Sequence, residues 1–403
     1  MSRRHLAFPL LAWLLLALPG LLTLAPAGWP GVAWARGLLA ADPLVDNNAR
    51  APAPVPWRWR AWLERDLQRA AGAHLHAHLV GRALIVRATN QVLYDLFRRS
   101  YAAEGAIVIG PERRTLHGDF YLNAWCAPAA AGRLAWAEQL AADLGTAAKA
   151  LRARGGALVL LLSASKPSAD GSDLPATLCR RDDSQEAVRR RLVEAANAAG
   201  VRVIDGIEAV RRFTAQDPLP AFPPGGVHWS RYSAMRLAQR LLTTLSAEAR
   251  QPLGRLRLGA PRWDQPATGI DVDYAMLLNL LWPPTGYPTA TAPLRCERTP
   301  QGGARELIAV GTSFTGALLT YLADCETFGA INYFNAYDYS YRRYQGAAWR
   351  DAALAPVEGS PALWQPWLER RPLVVLELLE LALPDGPTYT RRALDDLLRA
   401  LGQ

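Results

Sequence analysis

Apolar runs alternate with amphipathic segments along most of the chain. The run at residues 158–162, Leu-Val-Leu-Leu-Leu, has the length of a strand buried on both faces. Further strands are predicted at residues 106–110, 201–205, 306–310 and 373–377. Helical spacing of apolar residues predicts helices at residues 57–99, 134–154, 184–199, 232–248, 315–323 and 391–401. Strands and helices in alternation predict an α/β fold with a mostly parallel sheet, helices on both of its faces and right-handed crossovers.

Two segments fit this alternation poorly. Residues 251–303 are rich in Pro and Gly and show no clear period, so we expect a long surface excursion over the core. Residues 331–337, Ile-Asn-Tyr-Phe-Asn-Ala-Tyr, follow the helix at 315–323. Asn335 or Tyr337 could complete an oxyanion hole or stack against a sugar ring, and a turn rich in Asn and Tyr for structural reasons is the alternative.

The N-terminal residues have the pattern of an export segment. Residues 3–5, Arg-Arg-His, precede the apolar stretch 6–27, and Ala-Trp-Ala at 33–35 offers a cleavage site. Cleavage gives a soluble periplasmic protein, whereas retention gives a protein attached to the inner membrane. We therefore predict a signal peptide or signal anchor at residues 1–35, a Pro/Ala-containing linker at 36–56 and a folded body at 57–403.

The net charge of +9 comes almost wholly from Arg, since Lys149 and Lys166 are the only lysines. Positive charge attracts anionic polymers or phospholipid surfaces, although an Arg-biased soluble surface explains it equally well. No Arg-rich run is interleaved with aromatic residues, so we expect no nucleic-acid partner.

Four cysteines in an exported protein predict disulfides. Of the three pairings, Cys126–Cys179 with Cys296–Cys325 closes the shorter loops. None of the cysteines or histidines has the spacing of metal ligands, so we expect no metal and no bound cofactor.

The segment at residues 309–315, Ala-Val-Gly-Thr-Ser-Phe-Thr, carries the strongest chemical signal. A buried strand runs into Gly, then Ser313, then a helix. This places Ser313 at a helix N-terminus, where backbone N–H groups near Thr312 and Phe314 can stabilise an oxyanion. The alternative is that Ser313 or Thr312 merely caps the helix.

The second signal is the Gly-rich loop at residues 224–230, Pro-Gly-Gly-Val-His-Trp-Ser. His228 is a candidate base, because the ring of Trp229 can hold its imidazole in place. A surface histidine without a role is the alternative. Lys166 follows a predicted central strand, where ligands collect in open α/β sheets. It could contact an acidic sugar or the acyl donor, or it could be a solvated loop lysine.

Together these motifs resemble the AlgJ/AlgX-type SGNH-hydrolase-like acetyltransferases, which O-acetylate alginate and related exopolysaccharides. The resemblance runs from residue 57 to the C-terminus. Its motifs lie at residues 108–112, 162–167, 203–205, 228–230, 310–314 and 374–377. As in that family, His228 precedes Ser313 in the chain.

The resemblance implies an SGNH-hydrolase-like fold with an N-terminal helical lead-in and a Ser-His-Asp triad. Ser313 would form an acetyl-enzyme with His228 as base, and the acceptor would be an anionic or neutral exopolysaccharide. It also implies a multipass membrane acyltransferase as acetyl donor, and other proteins of an export complex as partners. No cofactor is implied.

One position departs from the family. The motif Asp two residues before His228 is Gly226 here. A carboxylate from elsewhere, such as Asp217, could orient the His, or a backbone carbonyl could do so in a Ser–His dyad. Otherwise the protein is catalytically impaired. Beside acetyl transfer, two functions therefore stay open: a carbohydrate acetylesterase and a non-catalytic polysaccharide-binding component of an export complex.

Overall fold

The computed structural model describes residues 18, 21–23, 25, 29, 32–34, 60, 65, 67–70, 72, 79–101, 107–110, 115–169, 174, 183–336, 340–346, 348–351, 364–384 and 389–403. The chain divides into two compact units. The first is Met1–Ile107 with Ala275–Pro283, and the second is Val108–Tyr274 with Pro284–Gln403. The boundaries predicted at residues 35 and 56 lie outside the described residues and stay predictions.

The first unit contains helix α1, Arg82–Phe97, which begins after Gly81 in a left-handed conformation (φ 77°). Its polar side chains bind the segment 275–283. Asn90 donates to the carbonyl of Asn279 at 3.4 Å, and Gln91 accepts from the N–H of Trp282 at 3.1 Å. The helix predicted at 57–99 is thus confirmed over its last third, and most of residues 57–78 lie outside the described residues.

The remaining elements build the α/β body. The strands are β1 Ile107–Ile109, β2 Leu116–Gly118, β3 Ala157–Ser163, β4 Arg202–Asp205, β5 Arg255–Leu258, β6 Arg262–Pro266, β7 Pro288–Thr291, β8 Leu294–Glu297, β9 Glu306–Gly311, β10 Ala330–Asn335, β11 Ser340–Gln345, β12 Ala348–Asp351 and β13 Leu373–Leu379. The helices are α2 Asp119–Cys126, α3 Arg133–Ala153, α4 Lys166–Ala169, α5 Asp183–Ala198, α6 Gly206–Gln216, α7 Arg231–Glu248, α8 Asp273–Leu277, α9 Pro300–Gly303, α10 Ser313–Asp324, α11 Gln365–Leu368 and α12 Tyr389–Leu401.

The main sheet has seven strands in the order β12-β11-β10-β9-β13-β3-β4. Strands β10, β9, β13, β3 and β4 are parallel, and β11 and β12 extend one edge in antiparallel pairing. Every residue of β3 and β13 is buried, because helices cover both faces. Helix α3 packs with both α5 and α12, and α7 packs with α10. The predicted fold class is confirmed.

Two segments differ from the sequence-based prediction. Residues 251–303 hold two small antiparallel sheets, β5 with β8 and β6 with β7. At residues 331–337, where a structural turn was one of the two alternatives, the first five residues are not a turn. These form β10, which pairs in parallel with β9, while Tyr337 lies outside the described residues. Short strands with several polar residues have too weak a period to be recognised in a single sequence.

The disulfide Cys296–Cys325 is confirmed, with a Cα–Cα distance of 5.4 Å. Cys126 is also disulfide-bonded, and its predicted partner Cys179 lies outside the described residues. Over the part of the chain that the structure describes, no helix is both long enough and apolar enough to cross a membrane.

Candidate active site

Ser313 lies at the carboxyl edge of the main sheet. Strand β9 ends at Gly311, and α10 begins at Ser313. Gly311 is needed for this turn, since a Cβ there would stand 2.5 Å from both Glu377 Oε2 and Thr315 Oγ1. Ser313 is exposed between two buried neighbours. The turn therefore presents one hydroxyl at the positive end of a twelve-residue helix.

Buried polar groups hold this turn on both sides of its backbone. The N–H and the hydroxyl of Thr312 both donate to the carboxyl of Glu377, the hydroxyl at 3.1 Å, and the Tyr333 hydroxyl donates to the Thr312 carbonyl at 2.7 Å. Glu377 is fully buried, and burial raises its pKa even though these hydrogen bonds oppose the shift. The backbone before Ser313 is thus fixed by contacts from β10 and β13.

The loop at residues 224–230 places His228 against Ser313. The Nε2 atom of His228 lies 2.7 Å from Ser313 Oγ. The imidazole packs on the ring of Phe314 with centroids 4.9 Å apart, and Trp229 meets the same ring edge-on at 5.2 Å. These buried rings hold the imidazole beside the turn at residues 311–313.

Asp273, the first residue of α8, supplies the carboxylate behind His228. Its Oδ2 lies 2.5 Å from His228 Nδ1, and its Oδ1 accepts from the N–H groups of Val227 at 2.7 Å and Tyr274 at 2.8 Å. A carboxylate in this position only accepts, so the partners assign the proton to Nδ1. Nε2 is then unprotonated, and it can accept the proton of the Ser313 hydroxyl.

Gly226 cannot hold the missing motif carboxylate. A Cβ at this position would stand 2.7 Å from the Ile270 carbonyl oxygen and 2.7 Å from Pro223 Cγ. The segment that crowds it is firmly attached, because the buried Asp271 forms an ion pair with Arg231 at 2.7 Å. Burial raises the pKa of Asp271, and Arg231 opposes that shift. The backbone leading to Asp273 thus occupies the space beside Gly226.

Four of the other predicted site residues do not face a substrate. Trp229 and Phe314 have fully buried side chains. The ring of Phe314 packs against the imidazole of His228, and the ring of Trp229 packs against that of Phe314. Thr312 caps α10, and its N–H donates to Glu377, so that N–H is not free to stabilise an oxyanion.

Lys166 is also buried, and its ammonium binds backbone carbonyl oxygens. It is neither a solvated loop lysine nor placed to contact an acidic sugar.

Asn335 ends β10 in register with Gly311, so it lies beside the turn at residues 311–313, at the same edge of the sheet. Asp217, the alternative carboxylate, forms an ion pair with Arg236 at 2.6 Å.

The sequence did not predict Asp273 as a site residue, because it lies in the stretch at residues 251–303 that has no clear period. The available signal was the acidic pair at 271 and 273, which follows Gly269 within four residues; Asp273 begins a short helix.

Ser313, His228 and Asp273 have the arrangement of the Ser-His-Asp triad that recurs on unrelated folds, here on an α/β body.

No family model matches the chain, and no curated protein matches its sequence. Solved structures similar to it include the O-acetyltransferase domain of Pseudomonas putida AlgJ, with 17% identity over 73% of this chain and 99% of that one and a TM-score of 0.43. They also include Pseudomonas aeruginosa AlgX, with 13% identity, 72% and 65% coverage and a TM-score of 0.37. Bacillus cereus PatB1 has 10% identity, 70% and 97% coverage and a TM-score of 0.43.

Proposed function

We propose that the protein transfers acetyl groups through an acetyl-Ser313 intermediate. The observation that carries the proposal is the continuous pair of contacts from Ser313 Oγ to His228 Nε2 at 2.7 Å and from His228 Nδ1 to Asp273 Oδ2 at 2.5 Å. Such contacts turn an ordinary hydroxyl into a nucleophile at neutral pH. Asp273 also removes the reason for reading the protein as a non-catalytic scaffold, which was the missing carboxylate at Gly226.

In the first half-reaction, Ser313 Oγ attacks the carbonyl carbon of an acetyl donor while its proton passes to His228 Nε2. The oxyanion that forms lies at the N-terminus of α10, where the N–H of Ser313 is placed to donate to it. His228 then gives its proton to the leaving group of the donor, and acetyl-Ser313 remains. Asp273 stabilises the transient imidazolium and stays ionised.

In the second half-reaction, a sugar hydroxyl attacks the acetyl carbon as His228 Nε2 takes its proton. The bond to Ser313 Oγ breaks, and His228 returns the proton to that oxygen. The acceptor we propose is a hydroxyl of an exopolysaccharide such as alginate, and the net charge of +9 is compatible with an anionic polymer. The N-terminal pattern supports a periplasmic location, where a multipass membrane acyltransferase would supply the acetyl group.

Acetyl-enzyme formation tests the proposal directly. Purified protein is mixed with a chromogenic acetyl ester, and both chromophore release and intact mass are followed. We expect the wild type to release chromophore and gain one acetyl group, and Ser313→Ala to do neither. A wild type that is as inert as Ser313→Ala, while both bind polymer, would show that the scaffold function is correct instead.

A carbohydrate acetylesterase would use the same three residues, because Ser313 is exposed and water can reach the acetyl-enzyme. Competition between acceptors separates the two functions. With oligosaccharide present in water, transfer predicts acetylated sugar at the expense of free acetate. Acetate release that the oligosaccharide does not reduce would assign the protein as an esterase.

A further inference from the structure

Lys166 is a buried cation next to the loop that carries His228. It begins α4 directly after β3, and its exposed fraction is 6%. A lysine is rarely buried, because its ammonium loses strong hydration unless polar groups replace the water. Polar groups of the protein must therefore replace the water that hydrates this ammonium in the unfolded chain.

Among the described residues, four backbone carbonyl oxygens lie within hydrogen-bond distance of the Nζ atom. These are Pro224 O at 2.6 Å, Pro223 O at 2.7 Å, Leu116 O at 2.9 Å and Gly226 O at 3.0 Å. An ammonium has three N–H donors and no acceptor, so four oxygens around it share those protons. Carbonyl dipoles that converge in this way on one positive charge resemble the coordination of a monovalent cation.

Three of the four oxygens belong to residues 223–226, which lead into His228. Pro223 and Pro224 have no N–H groups, so this stretch can form few backbone hydrogen bonds of its own. Two backbone hydrogen bonds also hold it: the N–H of Leu116 donates to the Pro224 carbonyl at 2.9 Å, and the N–H of Gly226 donates to the Pro223 carbonyl at 3.2 Å. Gly225 N–H donates to the hydroxyl of Tyr287 at 3.0 Å, and that hydroxyl in turn donates to the Asp271 carbonyl.

We propose that Lys166 is a positioning residue, whose ammonium gathers the carbonyls of residues 223–226 and so fixes His228 between Ser313 and Asp273. The effect on turnover rests on the proposed acetyl transfer, whereas the effect on His228 geometry does not. Without the charge, the carbonyls repel one another and the loop relaxes away from α4. The His228 Nδ1 contact to Asp273 is then the first to lengthen.

The test compares Lys166→Met, which keeps the length of the side chain but not its charge, with Arg305→Met as a matched control. Arg305 is also a buried cation at 6% exposure, and it donates to the carbonyls of Arg371 at 3.1 Å and Gly155 at 3.0 Å. It lies at the amino ends of β9, β13 and β3, the edge of the sheet opposite Ser313. Both variants lose a buried charge, but only Lys166 contacts the loop that carries His228.

Two measurements are made on each variant: the proton resonance of His228 Nδ1–H, assigned by its loss in His228→Gln, and the single-turnover rate of Ser313 acetylation. We expect Lys166→Met to lose the far-downfield resonance and to slow acetylation about tenfold to a hundredfold, as a misplaced catalytic group does. We expect Arg305→Met to keep both at wild-type values, even where its thermal stability falls as much. If Lys166→Met does not fold, Lys166→Gln replaces it, because the amide keeps two N–H donors without the charge.

The proposal is overturned if the uncharged variant keeps the His228 resonance, or if Arg305→Met loses it as well. Failure of the proposed function gives a different result. In that case the wild type forms no acetyl-enzyme, yet the His228 resonance still responds to Lys166→Met and not to Arg305→Met.

Discussion

His228 Nδ1 lies 2.5 Å from Asp273 Oδ2, although 45 positions separate the two residues in the chain. The same carboxylate accepts the N–H of Val227 at 2.7 Å, so it orients both the imidazole and the backbone beside it. The carboxylate that contacts His228 thus lies on a separate segment of the chain, not on the loop at residues 224–230. A carboxylate that fixes the tautomer of a catalytic histidine has a large effect on rate, which makes this contact the most direct one to test.

We expect Asp273→Asn to lower kcat by about three to four orders of magnitude, because an amide can present its NH2 to Nδ1 and favour the wrong tautomer. The measurement is turnover of a chromogenic acetyl ester, with circular dichroism to confirm folding. Asp217→Asn is the control, since Asp217 is paired with Arg236 instead. Equal turnover by Asp273→Asn and the wild type would rule out Asp273 as the orienting group.

The close packing around Gly226 predicts that a side chain cannot be added there. A Cβ would stand 2.7 Å from the Ile270 carbonyl, and overpacking of a rigid site destabilises by about 1–3 kcal/mol. We expect Gly226→Ala to lower the free energy of unfolding by this amount in denaturant titration. Gly286→Ala is the control, because nothing lies within 4 Å of its Cβ position.

The same packing predicts that a carboxylate at position 226 cannot replace the one at Asp273. In the double variant Gly226→Asp with Asp273→Asn, we expect ester turnover no higher than in Asp273→Asn alone. A recovery of turnover in the double variant would mean that the segment at Ile270 yields more readily than its contacts indicate.

Glu377 makes the stability of the nucleophile turn depend on pH. Burial raises the pKa of this carboxyl above its ordinary value of 4.5, so the folded state retains a proton that the unfolded state has released. Stability therefore falls as pH rises from about 4.5 through the raised pKa, at up to about 1.4 kcal/mol per pH unit for one proton.

Glu377→Gln imitates the protonated carboxyl and removes this titration. We expect its free energy of unfolding to be less dependent on pH above 4.5 than that of the wild type, measured by denaturant titration across the range. Glu138→Gln serves as the control, since Glu138 is half exposed on α3. Parallel pH curves for Glu377→Gln and the wild type would contradict the prediction.

Periodicity predicted the central strands because buried parallel strands such as β3 and β13 are apolar at nearly every position. It also placed Ser313 correctly, since a buried strand that runs into Gly and then a helix leaves little choice of geometry. His228 was found through its Gly-rich loop. In each of these cases the signal is local in the chain.

Asp273 and the role of Lys166 could not be predicted in the same way. Both act through contacts between segments distant in the chain, for which a single sequence has no period or spacing. The crowding at Gly226 is of the same kind, because it depends on the Ile270 backbone. The sequence did show Gly226, and no carboxylate, two residues before His228, but only the fold shows which acid contacts the imidazole.

His117 lies in β2 and is almost fully buried at 1% exposure. Among the described residues, neither of its ring nitrogens has a hydrogen-bond partner. Burial, together with the charge of Lys166, lowers its pKa from 6.5 to about 3. The unfolded chain therefore binds a proton between these two values that the folded state does not, and stability falls as pH drops from about 6.5 towards 3.

We expect His117→Leu to remove this acid sensitivity, because leucine fills a similar volume without a titrating group. Its free energy of unfolding should exceed that of the wild type at every pH, since an unsatisfied buried polar group is removed. The difference should grow below pH 6.5 at up to about 1.4 kcal/mol per pH unit. Denaturant titrations of both proteins at several pH values measure it, and a difference that stays constant from pH 7 to pH 4 would show that His117 is protonated in the folded state.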